Sequence, residues 1–432
     1  MKKAVLLLLM VTIIAGCIYL KNADKDTVLY PLQAEEEQDI PVHQAESTEE
    51  AISETATIEA TISEPETEEI TQKESLPETS PQEEETDAVA DEVKIAGVIY
   101  ERLTEAEQKI YAEILNSLLA FEKGTVLSTT DAGVIDKAFS AVMLDNPGIF
   151  YVDGYKYTEY ARDDKVERIE FTGKYLYEEE EILRRQELIE AKVSDILARM
   201  PDTRDEYHKV KYLYDTLVTQ TEYDLQAPDN QNICSVFIGG KSVCQGYAKA
   251  LQYLANKAGM NCSLVLGDVI GGDAHAWNLI SVNGAWYYLD ATWGDAFYLF
   301  GNQEQVVKKQ SSVINYDYMC VTTEQLSLTH NSDMPVELPD CVSVADNYFV
   351  REGLYFTGYD AQRLSDIFSQ AIAKGQETVT FKCSDRAVFD EMYRILLDEQ
   401  KVFEFLNSEG TVAYTDNATQ GIFTFWLFEG RY

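Results

Sequence analysis

Apolar positions fall into three regimes along the chain. A short solid run, Ala4 to Ala15, follows Lys2 and Lys3; a stretch from about Ala34 to Val93 scatters Ile, Val and Ala without a period; and from about Lys94 to Tyr432 aromatic and aliphatic residues recur at regular spacing. In the third regime Thr104-Glu105-Ala106-Glu107 forms a Thr-x-x-Glu capping box, and Ile110, Ile114, Leu118 and Leu119 behind it keep helical spacing. A second helix is expected over Ala132 to Met143, ending before Asn146-Pro147-Gly148. Aromatic strands follow at Phe150–Tyr160 and Val166–Tyr175, and a charged helix from about Glu178 to Met200 closes this unit. Tyr207 to Thr219 reads as helix, and a loop from Tyr223-Asp224 passes through Gly239-Gly240 to Ser242-Val243-Cys244-Gln245. Ser242 and Gln245 suggest a second capping box, opening a helix marked by Tyr247, Leu251, Leu254, Ala255 and Ala258 and stopped at Gly259. Ala274 to Val282 and Ala285 to Thr292 read as strands joined by Asn283-Gly284, the strongest short hairpin turn. From about Asp346 a strand hairpin spans Tyr348–Tyr359, then a helix Ala361–Ala373, a strand Val379–Cys383, a helix Val388–Leu397, and strands Thr411–Tyr414 and Ile422–Phe428. This last unit reads as a small α+β domain of ferredoxin-like type.

Composition changes the picture of the first ninety residues. The apolar run is too short to span a bilayer and ends in Ile14-Ala15-Gly16-Cys17, the layout of a secretory signal. Cysteine after two small residues resembles the bacterial lipobox, which implies cleavage before Cys17 and lipidation of Cys17. The mature chain is then expected outside the cytoplasmic membrane, held by its lipid. Between Ala34 and Val93 roughly twenty Asp and Glu stand against the single Lys73, with no aromatic residue. Such a segment cannot bury enough apolar surface to offset its ordering entropy, so an extended acidic tether is expected. It accounts for about half of the net charge of −40. Nothing basic is clustered, which argues against nucleic acid as a partner. The expected layout is a signal peptide at 1–16, a disordered acidic tether at 17–95, an N-terminal α/β unit at 96–201, a catalytic unit at 202–335 and the C-terminal unit at 340–432.

The chemistry concentrates in the fourth of these. Cys244 falls in the first turn of a helix, where backbone N–H groups lack partners and the positive end of the dipole favours a thiolate. A buried core position is the commoner fate of a cysteine, so helix position alone does not decide. The hairpin adds the second argument. With a two-residue turn Val282 faces Ala285, which sets Trp277 opposite Asp290 and His275 opposite Thr292. His275 and Asp290 are then diagonal neighbours on one face, with backbones roughly 7–8 Å apart and side chains able to meet. An imidazole so placed can donate one N–H to the carboxylate and face a thiol with its other nitrogen, the nucleophile, base and orienter logic of a triad.

Three blocks carry a family resemblance: Cys244-Gln245-Gly246-Tyr247-Ala248, His275-Ala276-Trp277-Asn278, and Trp286-Tyr287-Tyr288-Leu289-Asp290-Ala291-Thr292-Trp293. In order and spacing they resemble the transglutaminase-like superfamily over roughly ninety residues. The resemblance implies an α+β fold: a papain-like core in which a helix bearing Cys244 packs against an antiparallel sheet bearing His275 and Asp290, flanked here by two smaller α/β domains. It also implies amide chemistry through a cysteinyl thioester (cross-linking, deamidation, deglycosylation or proteolysis), with no cofactor. The family often takes one oxyanion donor from an upstream aromatic or amide side chain, for which Tyr223 and Gln231 are the candidates and the neighbouring Asn232 stays open. Trp277 and Trp293 would wall the cleft or simply pack. The expected partner is a protein or peptide, cell-wall-associated ones included, and the membrane is reached through Cys17. Because some members are silent, a binding or scaffold module is the alternative reading.

The remaining residues point away from metal chemistry. His43 lies in the acidic segment, His208 on a helix face and His330 in a polar loop, and none shows a Cys or carboxylate partner at metal spacing. There is no CxxC pair and no EF-hand pattern. Six cysteines follow Cys17, and a disulfide from Cys234 or Cys262 to Cys244 would silence the thiol.

Overall fold

A computed structural model of the chain describes residues 46–47, 97–162, 165–295, 314–406 and 412–427. The expected signal peptide, Cys17 and nearly all of the acidic tether lie outside them. The pair Glu46–Ser47 (β1), where no element is expected, runs parallel to Lys156 and Tyr157. Among the described residues no helix is long and apolar enough to cross a membrane.

Helix α1 (Glu105–Leu119) starts at the expected capping box: Thr104 Oγ1 accepts from the Glu107 N–H at 3.3 Å, and the Glu107 carboxylate accepts from the Thr104 N–H at 2.8 Å. Its Ile110, Ile114 and Leu118 are buried. Helix α2 (Ala132–Asp145) is capped by the Asp131 carboxylate, which accepts from Gly133 and Val134. A hairpin of β3 (Val152–Arg162) and β4 (Lys165–Tyr175), extended by β2 (Lys123–Val126), forms a sheet in the order β1-β3-β4-β2. Helix α3 (Glu179–Ala198) begins on three glutamates, which complement the positive end of its dipole.

The chain then enters α4 (Glu206–Gln220), a parallel pair of two-residue strands β5 (Glu222–Tyr223) and β6 (Lys241–Ser242), and α5 (Cys244–Lys257). Behind α5 stands a five-stranded antiparallel sheet in the order β10-β9-β8-β7-β11, made of β7 (Cys262–Val269), β8 (Ala274–Val282), β9 (Ala285–Leu289), β10 (Met319–Val321) and β11 (His330–Ser332). The turn at Asn283-Gly284 takes positive φ at both residues, as a tight hairpin of this type requires. Val282 pairs with Ala285 and Asn278 with Leu289, the register expected from the turn. The regular ladder ends at Leu289, three residues before the expected end at Thr292. Strands β10 and β11 have no counterpart in the sequence reading.

Helix α5 is tied to the sheet by Asn278, whose amide donates to the Ala248 carbonyl at 2.9 Å and to the Ser263 carbonyl at 3.3 Å. It is tied to α2 by Gln252, which donates to the Leu144 carbonyl at 2.7 Å. One buried cluster accordingly runs from Ile99 through α1, α2, α4 and α5 to Cys320. Burying each large apolar side chain in it contributes about 1.5–3 kcal/mol, so the first unit and the sheet share a foundation rather than merely touching.

The C-terminal unit departs from expectation. Tyr348–Arg351 is a helical turn capped by Asn347, and only Tyr355–Phe356 (β12) is strand, so the expected hairpin over Tyr348–Tyr359 does not form. The Asn347 cap satisfies the N–H of Phe349 and turns the chain where alternation predicted an extended run. β12 runs parallel to β13 (Thr378–Cys383), which pairs with β15 (Ile422–Trp426) and through it with β14 (Ala413–Asn417). The order of elements is β-α-β-α-β-β, with helices at Ala361–Ala373 and Arg386–Tyr393, and this is not the β-α-β-β-α-β order of a ferredoxin-like unit. Its core, including Phe368, Phe381, Phe423 and Phe425, forms a cluster of its own.

Candidate active site

The site starts at the first residue of α5. The N-cap, Val243, is extended and makes no side-chain cap bond, and Cys244 is the first helical residue. The expected Ser242–Gln245 capping box is absent. Ser242 belongs to β6, one residue too early, and its hydroxyl pairs with Ser235 Oγ at 2.6 Å and donates to the Asn230 carbonyl at 3.0 Å. The first turn of α5 therefore keeps N–H groups that no cap side chain takes, at the positive end of the dipole beside the thiol. Gly246 makes this packing feasible: a Cβ there would lie 1.9 Å from Ser242 Oγ and 2.8 Å from the Asn230 carbonyl oxygen.

All six cysteines of the described residues are free, and Cys244 is the one that is not fully buried. No bridge joins it to Cys234 or Cys262. Burial pushes the Cys234 thiol up to about 11 and those of Cys341 and Cys383 to about 12, while Cys262 and Cys320 are driven further still. Those five make poor nucleophiles at neutral pH.

His275 sits near the start of β8, and Asp290 immediately follows β9. The imidazole Nε2 lies 2.7 Å from Asp290 Oδ2, with both side chains buried. The Cys244 thiol acts on the same imidazole, whose Nδ1 is the nitrogen that Asp290 does not engage. Asp290 is held from behind: its Oδ1 accepts from the Thr292 N–H at 2.9 Å and the Trp293 N–H at 3.2 Å. Its backbone carbonyl accepts from Tyr214 Oη at 3.0 Å. Gly294 leaves room for that tyrosine, since a Cβ would stand 2.4 Å from the phenol oxygen.

Burial opposes charge on His275, but the Asp290 carboxylate and the Cys244 thiol outweigh it and push the imidazole up to about 10. Burial likewise opposes charge on Asp290, and His275 and His330 overcome it, holding the carboxyl well below its usual range. The pair is thus an imidazolium and a carboxylate at neutral pH. The sign of the resulting linkage is definite. The raised histidine contributes stability fully present below its ordinary value of 6.5 and lost as pH rises to about 10. The depressed aspartate contributes stability present above its ordinary 3.8 and lost as pH falls below it. The gap in urea midpoint between the native chain and His275→Gln should therefore be widest between pH 3.8 and 6.5 and narrow on both sides. A gap that stays flat from mildly acid to strongly alkaline pH contradicts the ion pair.

His330 corrects the sequence reading. It is not in a polar loop but on β11, paired with Val269, and its side chain is fully buried. Its Nε2 lies 3.4 Å from the same Asp290 Oδ2, and its Nδ1 lies 2.8 Å from Thr329 Oγ1. It does have a carboxylate partner: one ligand atom from each of His275, Asp290 and His330 lies within 4.8 Å of the others. The Nε2 atoms of both imidazoles face this one carboxylate oxygen. Nothing local in Thr329-His330-Asn331-Ser332 signals this; the pairing with β7 is what carries His330 inward.

The tryptophans form the back of the site. Trp277 has no exposed surface and lies behind the histidines, its ring stacked on His275 at 6.0 Å and edge-on to His330 at 4.9 Å, so it does not wall an open cleft. Trp293 is 6% exposed and packs on His275, His330 and Tyr318. Gly267, on the strand beside β8, admits Trp277 and β11 together: a Cβ there would lie 2.7 Å from the indole and 1.9 Å from the Asn331 carbonyl oxygen. Of the upstream candidates, Tyr223 lies on β5 beside the strand that leads into Cys244, its ring 6.5 Å from Tyr247. The Gln231 carbonyl accepts from Lys249 on α5 at 3.1 Å, and the Asn232 amide oxygen accepts from the Cys234 N–H. All three belong to segments packed on α5.

Comparison with known proteins finds a family match over this part of the chain. The family description "Transglutaminase-like superfamily" matches residues 195–291. Kyphoscoliosis peptidase of Mus musculus is 25% identical over 118 residues, and that of Homo sapiens 27% over 118 residues; each match covers 24% of this chain and 17% of the relative. This chain thus spans less than a fifth of those proteins' length. A crystal structure of a TGase aligns at 14% identity over 32% of this chain and 50% of its own, with a TM-score of 0.24. Residues 195–291 are a domain of the transglutaminase-like superfamily.

Proposed function

We propose that this chain is a surface-anchored thiol acyltransferase or hydrolase that acts on amide bonds of protein or peptide substrates through a cysteinyl thioester. The observation that carries the reading is the 2.7 Å bond between buried His275 and Asp290, with Cys244, the one incompletely buried thiol among the described residues, acting on the same imidazole. Cys244 as thiolate adds to the carboxamide carbonyl, forming the S–C bond and an oxyanion. The oxyanion re-forms the carbonyl, the C–N bond breaks, and His275 gives its proton to the departing amine. Water or a second amine then adds to the thioester, His275 takes its proton, and Cys244 leaves as thiolate. The backbone N–H of Cys244 serves the oxyanion, with Tyr223 or Gln231 as the second donor. Whether acid or new amide results depends on which nucleophile reaches the thioester.

Placement at the membrane through lipidated Cys17 is supported by the Ile14-Ala15-Gly16-Cys17 sequence, and the acidic segment would then hold the folded body off the surface. A p-nitrophenyl ester tests the chemistry without a known substrate. Intact mass should show an acyl adduct on Cys244 that water or an added primary amine removes. An adduct on Cys244 that persists unchanged with both would end the acyl-transfer reading. Cys17→Ser, expressed in a bacterium, should move the chain from the membrane to the soluble fraction; membrane retention would end the anchoring reading.

A further inference from the structure

His330 has a fixed hydrogen-bonding environment at both ring nitrogens. Nε2 meets Asp290 Oδ2 at 3.4 Å; Nδ1 meets Thr329 Oγ1 at 2.8 Å, and Thr329 Oγ1 meets Tyr318 Oη at 3.0 Å. Its ring is enclosed by Trp277, Trp293, Tyr318 and His275 at centroid distances of 4.9, 4.7, 5.3 and 5.4 Å. The charged groups that face it are Asp290 and His275. Burial holds His330 below the ordinary histidine range despite the pull of Asp290, so it is a neutral ring with one N–H. An ionised carboxylate can only accept, and so can the Leu326 carbonyl, which also meets this ring; the full charge on Asp290 makes it the stronger acceptor and draws the proton to Nε2. Nδ1 then accepts from the Thr329 hydroxyl, which shares its proton with the Leu326 carbonyl at 3.3 Å and in turn accepts from Tyr318. Tyr318 also touches Gln420, so the C-terminal unit backs the far end of this chain of bonds.

We propose that His330 is a positioning residue: its Nε2–H, donated to Asp290 Oδ2, fixes the carboxylate so that His275 keeps Nε2–H toward Asp290 and Nδ1 toward Cys244. The logic is one of satisfied valence. Two backbone N–H groups saturate Oδ1, so the orientation of the carboxylate rests on what holds Oδ2. With His275 as the one donor at Oδ2, the carboxylate could still rock about its Oδ1 anchor and carry that imidazole with it, and a base that rocks is a poor partner for the thiol. The role rests on the catalytic reading of Cys244, but its first readout does not.

Ring-nitrogen NMR of the full chain, ¹⁵N-labelled at histidine, reads the tautomer directly. His330 should be a neutral Nε2–H tautomer across the near-neutral range, and the His275 Nε2–H should exchange slowly. In His330→Leu that proton should exchange faster, and alkylation of Cys244 by iodoacetamide should slow by about tenfold, the size of one hydrogen bond to a charged group. His330→Gln, which can present an amide N–H toward Oδ2, should recover most of both. Thr329→Val, which removes the group that holds Nδ1, provides the test if His330→Leu does not fold; it should loosen the tautomer and speed the same exchange. A proton on Nδ1 of His330, or native exchange and alkylation in whichever of these two variants folds, overturns the proposal. Sluggish alkylation in the native chain with the Nε2–H tautomer in place would instead remove the catalytic reading and leave the positioning bond standing.

Discussion

Asp290→Asn should lower turnover of a p-nitrophenyl ester by about 10³- to 10⁴-fold, the scale seen when a buried triad carboxylate becomes an amide. The cause lies in what each oxygen does. Oδ1 accepts from the Thr292 and Trp293 N–H groups. In the variant only the amide oxygen can accept from those two donors, so the NH₂ group must stand where Oδ2 was. That NH₂ then faces His275 Nε2, which has to become an acceptor, and the ring proton moves to Nδ1 toward Cys244. An imidazole in that tautomer cannot take a proton from the thiol or from water. The NH₂ also meets a second conflict, because His330 Nε2 points at the same position. The fold should survive, since the two side chains have nearly the same shape. Turnover within a factor of about ten of native would mean that Asp290 is structural and not the orienter of a base.

Trp277→Ala should give the largest loss of stability of any single change near the site, about 3–5 kcal/mol, as for other large aromatic truncations in cores. The indole is fully buried, stacks on His275, meets His330 edge-on, and fills the space that Gly267 leaves open. Neighbours cannot collapse into the gap, because β7 and β8 are paired along this stretch and Val265 is fixed opposite Trp277. Trp277→Phe keeps much of the ring contact and should cost well under half as much. Urea unfolding of the three proteins reads this directly. A loss below about 1 kcal/mol for the alanine variant would show that the indole is not the floor on which the histidines rest.

The parts of the fold that could be read from the sequence are those with local causes. The Asn283-Gly284 turn has one favoured geometry, so the register of β8 on β9 followed from it; His275 and Asp290 meet just past the end of that ladder, where Asp290 is held by the Thr292 and Trp293 N–H groups. The spacing of Tyr247, Leu251 and Leu254 placed α5, and hence Cys244 at its start, within a residue. What escaped depends on distant partners. Ser242 looks like a helix cap, but Ser235 and Asn230, brought beside it by the loop, take its hydroxyl first. His330 stands among polar neighbours and becomes a buried partner of Asp290 only because a three-residue strand pairs with β7. Tyr348–Tyr359 alternates like a strand, but an asparagine cap winds its first half into a turn of helix.

Activation of Cys244 by a buried imidazolium–carboxylate pair is read in the rate of its alkylation by iodoacetamide against pH. Modification of Cys244 should stay fast well below the value of about 8.5 typical of a free thiol, and should be slow in His275→Ala over the same range. Reaction that rises only near that value, equally in the native chain and in His275→Ala, would contradict it.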